Sequence, residues 1–317
     1  MAEKRIFWFD CLNRNDFLEI WAGDSLKRLQ LIQRRNEQVS VSLDQLKAIG
    51  KELRKDILRM TTEAGSGHPS SSMSAVEVIA ALYFGGFLNF DAKNPKDPNR
   101  DRFILSKGHA APVLYAALAH KGLFQHEELM TLRKLGSRLE GHPNMLRLGG
   151  IEASTGSLGQ GLSMGVGYAL AARLAKNGAH TYVMTGDGEL GQGQIWEAAA
   201  SAGKYALNNL TCIVDRNGYQ QTGSAFDVLN MDPIDGKFAA FGWATQVING
   251  NDQEEVIEAL KRARATKGRP SCIVSLTKKG YGMLNLLAKL KDENFHGKPM
   301  PAKHLEEALA EVEAGVA

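Results

Sequence analysis

Thr185-Gly186-Asp187-Gly188-Glu189-Leu190, together with Asp215-Arg216-Asn217-Gly218-Tyr219 further on, decides how this chain is read. Before Gly186 runs Thr181-Tyr182-Val183-Met184, an apolar stretch that reads as a buried strand. After it, Gly193 to Leu207 repeats apolar residues at helical spacing, and Leu210 to Val214 is a second buried strand. Strand, glycine-flanked aspartate, helix, strand and asparagine then follow in order. In an open α/β sheet the loops at the carboxyl ends of the strands line the ligand crevice. Two neighbouring strand ends here offer a carboxylate, an amide oxygen and backbone carbonyls, a donor set suited to a hard divalent cation such as magnesium. The glycines admit a diphosphate close to the backbone. The helix beginning near Gly193 turns a positive end towards it.

Composition narrows the class. The chain has 317 residues, 44% apolar and 23% charged, which is ordinary for a globular protein. A formal charge of +3 gives no basic stripe and argues against a nucleic-acid partner. No run is long and apolar enough to span a bilayer, and Met1 to Asp10 lacks the pattern of a signal peptide. Cys11, Cys212 and Cys272 are widely spaced, and the last two sit inside strand-like runs. They fit buried thiols in a reducing compartment, so a cytoplasmic location is expected.

Outward from the central motif, alternating strands and helices predict an α/β, doubly wound parallel sheet with helices on both faces. Residues 1–40 read as an amino-terminal arm of unknown role, and residues 41–317 as one domain. Ser42-Leu43-Asp44-Gln45 has capping-box spacing and opens a helix to about Thr62. Further helices are expected over Ser74–Leu88, Ala110–Lys121, Gln125–Leu135, Leu158–Lys176, Asp252–Thr266 and Pro301–Val312. Further strands are expected at Arg102–Leu105, Trp243–Ile248 and Ser271–Thr277.

Four histidines stand beside glycine or proline in loops: His68, His109, His142 and His296. Singly each reads as a turn histidine. Converging on one crevice, they would suit a polyhydroxylated sugar phosphate, since histidine exchanges protons near neutrality and donates to hydroxyl and phosphate oxygens. Lys278 and Lys279, upstream of the His296 loop, read as solvated charges.

The motifs Ser66-Gly67-His68-Pro69, Ser106-Lys107-Gly108-His109-Ala110, Gly141-His142-Pro143, Thr155-Gly156-Ser157-Leu158-Gly159-Gln160-Gly161 and Gly186-Asp187-Gly188 with Asn217 occur in the order found in transketolases. The segment around His296 also matches. Over roughly residues 42 to 300 the chain resembles the first, diphosphate-binding domain of that family, and it looks like the amino-terminal subunit of a split transketolase.

The resemblance implies a thiamine-diphosphate-binding fold, with thiamine diphosphate and Mg2+ (or Ca2+ or Mn2+) as cofactors. Asp187 and Asn217 would hold the metal through side chains and Tyr219 through its carbonyl. Gly188 would leave room for the diphosphate, while Gly156 and Leu158 would lie against the aminopyrimidine. His109 and His296 would serve the diphosphate side and the substrate hydroxyls, with His68 and His142 bonding the donor ketose and shuttling protons. The activating glutamate belongs to a pyrimidine-binding domain with no match here. The resemblance therefore implies a carboxyl-terminal partner subunit, two copies of each, with the helices near Ile195-Trp196 and Leu158 to Ala172 as candidate contact surface.

The chain departs from the family at three places. Gln192 stands where a glutamate is common, Ser70 and Ser71 would narrow the donor pocket, and residues 1–40 have no counterpart. Two alternatives remain open at this point. One is the alpha subunit of a 2-oxo-acid dehydrogenase's decarboxylating component, which the Lys107-Gly108-His109 and Gly141-His142-Pro143 segments disfavour. The other is a non-catalytic regulatory subunit of the same fold.

Overall fold

The computed structural model describes residues 41–315 apart from Glu293. The amino-terminal arm and Cys11 lie outside the described residues. The first helix, α1 (Leu43–Ala64), begins at the expected capping box: the Ser42 hydroxyl accepts from the Gln45 N–H, and the Gln45 side chain accepts from the Ser42 N–H. Gly65, at φ 57°, ends it in the left-handed conformation that glycine tolerates.

Two short helices, α2 (Pro69–Met73) and α3 (Val76–Phe84), replace the single helix expected over Ser74–Leu88. Pro69, with no N–H to lose, starts α2 early, and Gly85-Gly86 close α3. Strand β1 (Arg102–Leu105) runs through a tight turn at Gly108–Ala110 into α4 (Ala111–His120). The helix expected over Gln125–Leu135 is only a 3-10 turn, His126–Thr131. Arg133, at φ 60°, reverses the chain, and its N–H donates to the Leu139 carbonyl.

Next come α5 (Gly161–Ala175), β2 (Thr181–Gly186), α6 (Gly193–Lys204) and β3 (Leu210–Arg216). Helices α7 (Ala225–Leu229) and α8 (Ile234–Ala240) were not expected, since each is too short to show a clear period. The chain continues through β4 (Ala244–Asn249), α9 (Gln253–Ala265), β5 (Ser271–Leu276), another unexpected short helix α10 (Leu284–Leu290), and α11 (Leu305–Ala314).

The five strands lie in the order β1-β2-β3-β5-β4, all parallel. Parallel strands are buried on both faces, which is why they read as unbroken apolar runs. Phe103, Tyr182, Met184 and Ile213 point into one core beneath α1, α3 and α4, whereas Val183, Cys212, Val214 and Cys272 point into the other beneath α5, α6 and α8. Both expected thiols are buried and free. The register pairs Gly186 with Asp215 and Asp215 with Ser275, so β2, β3 and β5 finish at one level. Among the described residues, no helix is long and apolar enough to cross a membrane.

On the expected contact surface, Ile195 proves to be a core residue because it faces the sheet. Met164, Leu174 and Tyr205 on and beside α5 and α6 are exposed instead.

Candidate functional site

A cleft of about 820 Å³ opens at the carboxyl ends of β1, β2, β3 and β5. All ten residues singled out in the sequence line it: His68, His109, His142, Gly156, Leu158, Asp187, Gly188, Asn217, Tyr219 and His296. They come from loops far apart in sequence, so it is the topology that gathers them.

The two strand-end motifs interlock. Asp187 accepts from the backbone N–H of Gly188 at 2.9 Å and of Gly218 at 2.7 Å, while its own N–H donates to the Asp215 carbonyl at 3.1 Å. Burial and the neighbouring Asp215 charge push the Asp187 carboxyl up to about 6, against the pull of those two N–H donors. Asn217 donates to Asp215 Oδ2 at 3.1 Å and accepts from the Tyr219 N–H at 3.1 Å, which fixes its Oδ1 orientation.

Beneath this pair lies an ion pair that the sequence reading did not single out. Lys107, fully buried, donates to Asp215 Oδ2 and to the Ser71 carbonyl at 2.8 Å. Asp215 also accepts from Ser74 at 2.7 Å and Thr277 at 2.5 Å. Burial alone would raise the Asp215 carboxyl, but Lys107 and these donors hold it below its ordinary value. A lysine after a strand carries no signal of burial in a one-dimensional reading, so Lys107 was legible only as part of a motif.

Glu189 is a second buried charge that local sequence does not mark. It is buried and accepts from the Ser106 hydroxyl, the Gly159 N–H at 2.8 Å and the Gly186 N–H at 3.1 Å. Ser106 Oγ in turn accepts from the Gly161 N–H at 3.1 Å. Glu189 thereby ties the loop before α5 to the ends of β1 and β2. Gly159, at φ 89°, delays α5 to Gly161, three residues later than expected. Within that loop Gly156 sits at φ 149°, and a Cβ there would come within 3.2 Å of His142 Cγ, so the loop's path against His142 requires glycine.

Three of the four histidines form one group. His68 lies 5.2 Å from His109 and 5.0 Å from His296, ring centre to ring centre, and His109 and His296 are 5.6 Å apart. Burial, reinforced by surrounding positive groups, lowers all of them: His68 to about 3, His296 to about 4, and His109 well below its ordinary value. His142, on the same cleft but outside the ring group, is lowered by burial and by Arg133. All four are neutral at physiological pH, each with one donor and one acceptor nitrogen. Buried Nδ1 of His68 has no partner among the described residues.

Lys279 corrects the sequence reading. Lys278 is exposed as expected, but Lys279 is only 4% exposed and lines the cleft. It donates to Asn294 Oδ1 at 2.5 Å and to His296 Nδ1 at 3.0 Å, which leaves the His296 proton on Nε2. Burial and the Lys107 charge bring it down to about 8. Ser70 does not narrow the pocket. Its hydroxyl donates to the Phe295 carbonyl at 3.0 Å and so pins the His296 loop, while Ser71 does line the cleft. Gln192 is exposed on this chain, and a Cβ on Gly159 would touch its side chain.

One end of a doubly wound α/β sheet thus brings together an oxygen-rich pair, glycine walls, neutral imidazoles and the buried Lys279. Residues 47–313 match the family described as transketolase, thiamine diphosphate binding domain. The chain belongs to the transketolase family. It is 43% identical over 243 residues to the 6-deoxy-6-sulfo-D-fructose transketolase subunit SqwG of Clostridium sp. (strain MSTE9), covering 77% of this chain and 88% of that one. It is 38% identical over 272 residues to an apulose-4-phosphate transketolase subunit of Phocaeicola vulgatus, covering 86% and 95%. The crystal structure of Campylobacter jejuni transketolase superposes with a TM-score of 0.79 at 31% identity, over 86% of this chain and 43% of that one. The chain spans 42% of the length of the mammalian transketolases that it matches.

Proposed function

We propose that this chain is the diphosphate-binding subunit of a transketolase that moves a two-carbon ketol unit from a ketose or ketose phosphate to an aldose or aldose phosphate. The observation that carries the reading is the meeting of Asp187 and Asn217 with the histidine group in one cleft. The donor set fits thiamine diphosphate and a divalent cation. Asp187 holds a carboxylate in a setting that penalises its charge, and a cation such as Mg2+ relieves that penalty. Asn217 Oδ1 and the Tyr219 carbonyl complete the set on this chain, and Gly188 leaves the diphosphate room to approach.

Thiamine diphosphate supplies the carbanion chemistry of carbon–carbon cleavage; binding, orientation and proton handling fall to the protein. His68 and His142, both on the cleft wall, would bond the donor's hydroxyls and move its protons. His109 and the Nε2–H of His296 would serve the diphosphate and the substrate hydroxyls. Gly156 and Leu158, on the same cleft, would hold the aminopyrimidine.

A partner chain carrying the pyrimidine-binding and carboxyl-terminal domains completes the enzyme, as two copies of each. Two observations support a partner chain. Two relatives of nearly this length are named as transketolase subunits. Exposed Met164, Leu174 and Tyr205 also give α5 and α6 an apolar contact surface. The buried free thiols of Cys212 and Cys272 fit a reducing, cytoplasmic setting.

The test is co-expression with the partner, followed by a ketol-transfer assay against a panel of ketoses and aldose phosphates. Transfer by the pair and none by this chain alone, with saturating thiamine diphosphate and Mg2+, is the expected result. Robust transfer by the isolated chain would sink the two-subunit reading.

A further inference from the structure

Outside the cleft, α1, the end of α4 and the turn at His126–Thr131 bring Asp56, His120 and His126 together. The Asp56 side chain is 2% exposed, on the buried face of α1. A single oxygen, Oδ2, lies 2.8 Å from Nε2 of His120 and 2.8 Å from Nε2 of His126. The two rings stand edge to face with centres 5.2 Å apart, and the three ligand atoms lie within 4.8 Å of one another. The imidazoles keep 27% and 48% of their side-chain surface in solvent, so the group is open on one side.

A carboxylate only accepts, so without a cation each Nε2 must carry a proton aimed at the same oxygen. A divalent ion replaces those protons at the same three atoms. Imidazole and carboxylate suit zinc and its neighbours among the transition metals. Around a tetrahedral zinc the ligand atoms stand about 3.3 Å apart, so the 2.8 Å contacts need to open by only about half an ångström. Asp56 cannot retreat far, being anchored on a buried helix face, whereas the more exposed His126 can adjust.

We propose that Asp56, His120 and His126 form a binding site for a divalent transition metal such as zinc. Three protein ligands hold the ion, and a water completes the shell on the solvent side. The ion would clip α1 to the end of α4 and the turn after it. The oxygen-rich set in the cleft serves a different class of cation, and this inference does not depend on the proposed function.

The test is a titration of the full chain with Co2+ in excess Mg2+, reading d–d absorption, bound stoichiometry by equilibrium dialysis, and the thermal midpoint. The expected result is an equivalent with tetrahedral bands and a raised midpoint in the wild type. Both should vanish in His126→Ala and persist in His68→Ala/His296→Ala, which removes the competing imidazoles of the cleft. His126→Gln keeps a hydrogen bond to Asp56 and so preserves the fold, and it too should lose the equivalent. Bands and stoichiometry unchanged in the His126 variants would overturn the site. Absence of tetrahedral bands in the wild type would overturn it as well, leaving the trio as a hydrogen-bonded clip.

Discussion

Replacing Lys107 by methionine keeps the length and apolar stem of the side chain and removes only the ammonium beneath the cleft. Lys107 and Asp215 are both fully buried, so Asp215 would be left ionised with no cation in contact. Breaking a buried ion pair from one side costs about 3–5 kcal/mol. Three donors remain on Asp215, from Ser74, Asn217 and Thr277, and their support argues for the lower end of that range. Against a total stability of about 5–15 kcal/mol for a typical protein, a loss of about 3 kcal/mol moves the urea midpoint well outside error.

A second substitution separates charge from packing. Lys107→Met/Asp215→Asn removes both charges while the amide can still hydrogen-bond the surrounding hydroxyls, so it should recover most of the loss. pH supplies an independent sign. In the wild type the Asp215 carboxyl lies below its ordinary value, so its contribution is present at neutrality and is lost only as pH falls through that lowered value. In Lys107→Met burial raises the same carboxyl, and the single variant should therefore regain stability relative to wild type on mild acidification. Equilibrium urea unfolding of the three proteins across pH reads all of this. A single variant within about 0.5 kcal/mol of wild type, or a double variant no better than the single, would refute the reasoning.

Other outcomes concern ligands and rate. Asp187→Ala should largely abolish thiamine diphosphate binding to the reconstituted complex in titration calorimetry, and Asn217→Ala should weaken it less, because a neutral oxygen is lost rather than a charge. His68→Ala and His142→Ala should leave cofactor affinity nearly intact and lower turnover by about 10²–10⁴-fold; unchanged turnover on the true donor would return both to structural turns. Lys279, at about 8, is cationic at neutral pH and loses its charge as pH rises through that value. Pyrophosphate affinity, measured by competition, should therefore fall above about pH 8 in wild type, and Lys279→Met should flatten that profile.

The site was more legible in the sequence than its support. Glycine-flanked Asp187, Asn217 and the four loop histidines sit where breakers interrupt apolar periodicity, so local pattern marks them directly. Strands β2, β3 and β5 were legible for the complementary reason: burial on both faces leaves an unbroken apolar run. Lys107, Glu189 and Lys279 escaped because a charged residue announces exposure, and only the assembled fold reveals the partners that permit its burial. The turn over residues 126–131 was misread as a full helix because Leu129 and Leu132 have helical spacing, whereas the reversal at Arg133 rests on a hydrogen bond to Leu139 that the spacing does not encode. The pairing of Asp56 with His120 and His126 was invisible for a related reason, since its members lie 64 and 70 residues apart along the chain.

Charge in the cleft follows from what lies beneath it. Lys107 also lines the cleft, but it is paired with Asp215 beneath it, so this lysine chiefly organises the strand ends. Four histidines line the walls, yet burial keeps them neutral and turns them into matched donors and acceptors rather than an anion trap. Lys279 adds positive charge to the same lining, and the carboxylate of Asp187 opposes it there. On that balance the described residues alone offer a diphosphate little net attraction, and a divalent cation held by Asp187 would change its sign. Cofactor and cation should accordingly bind as a unit, each raising the affinity for the other, with neutral imidazoles left free to exchange protons with a polyhydroxylated substrate.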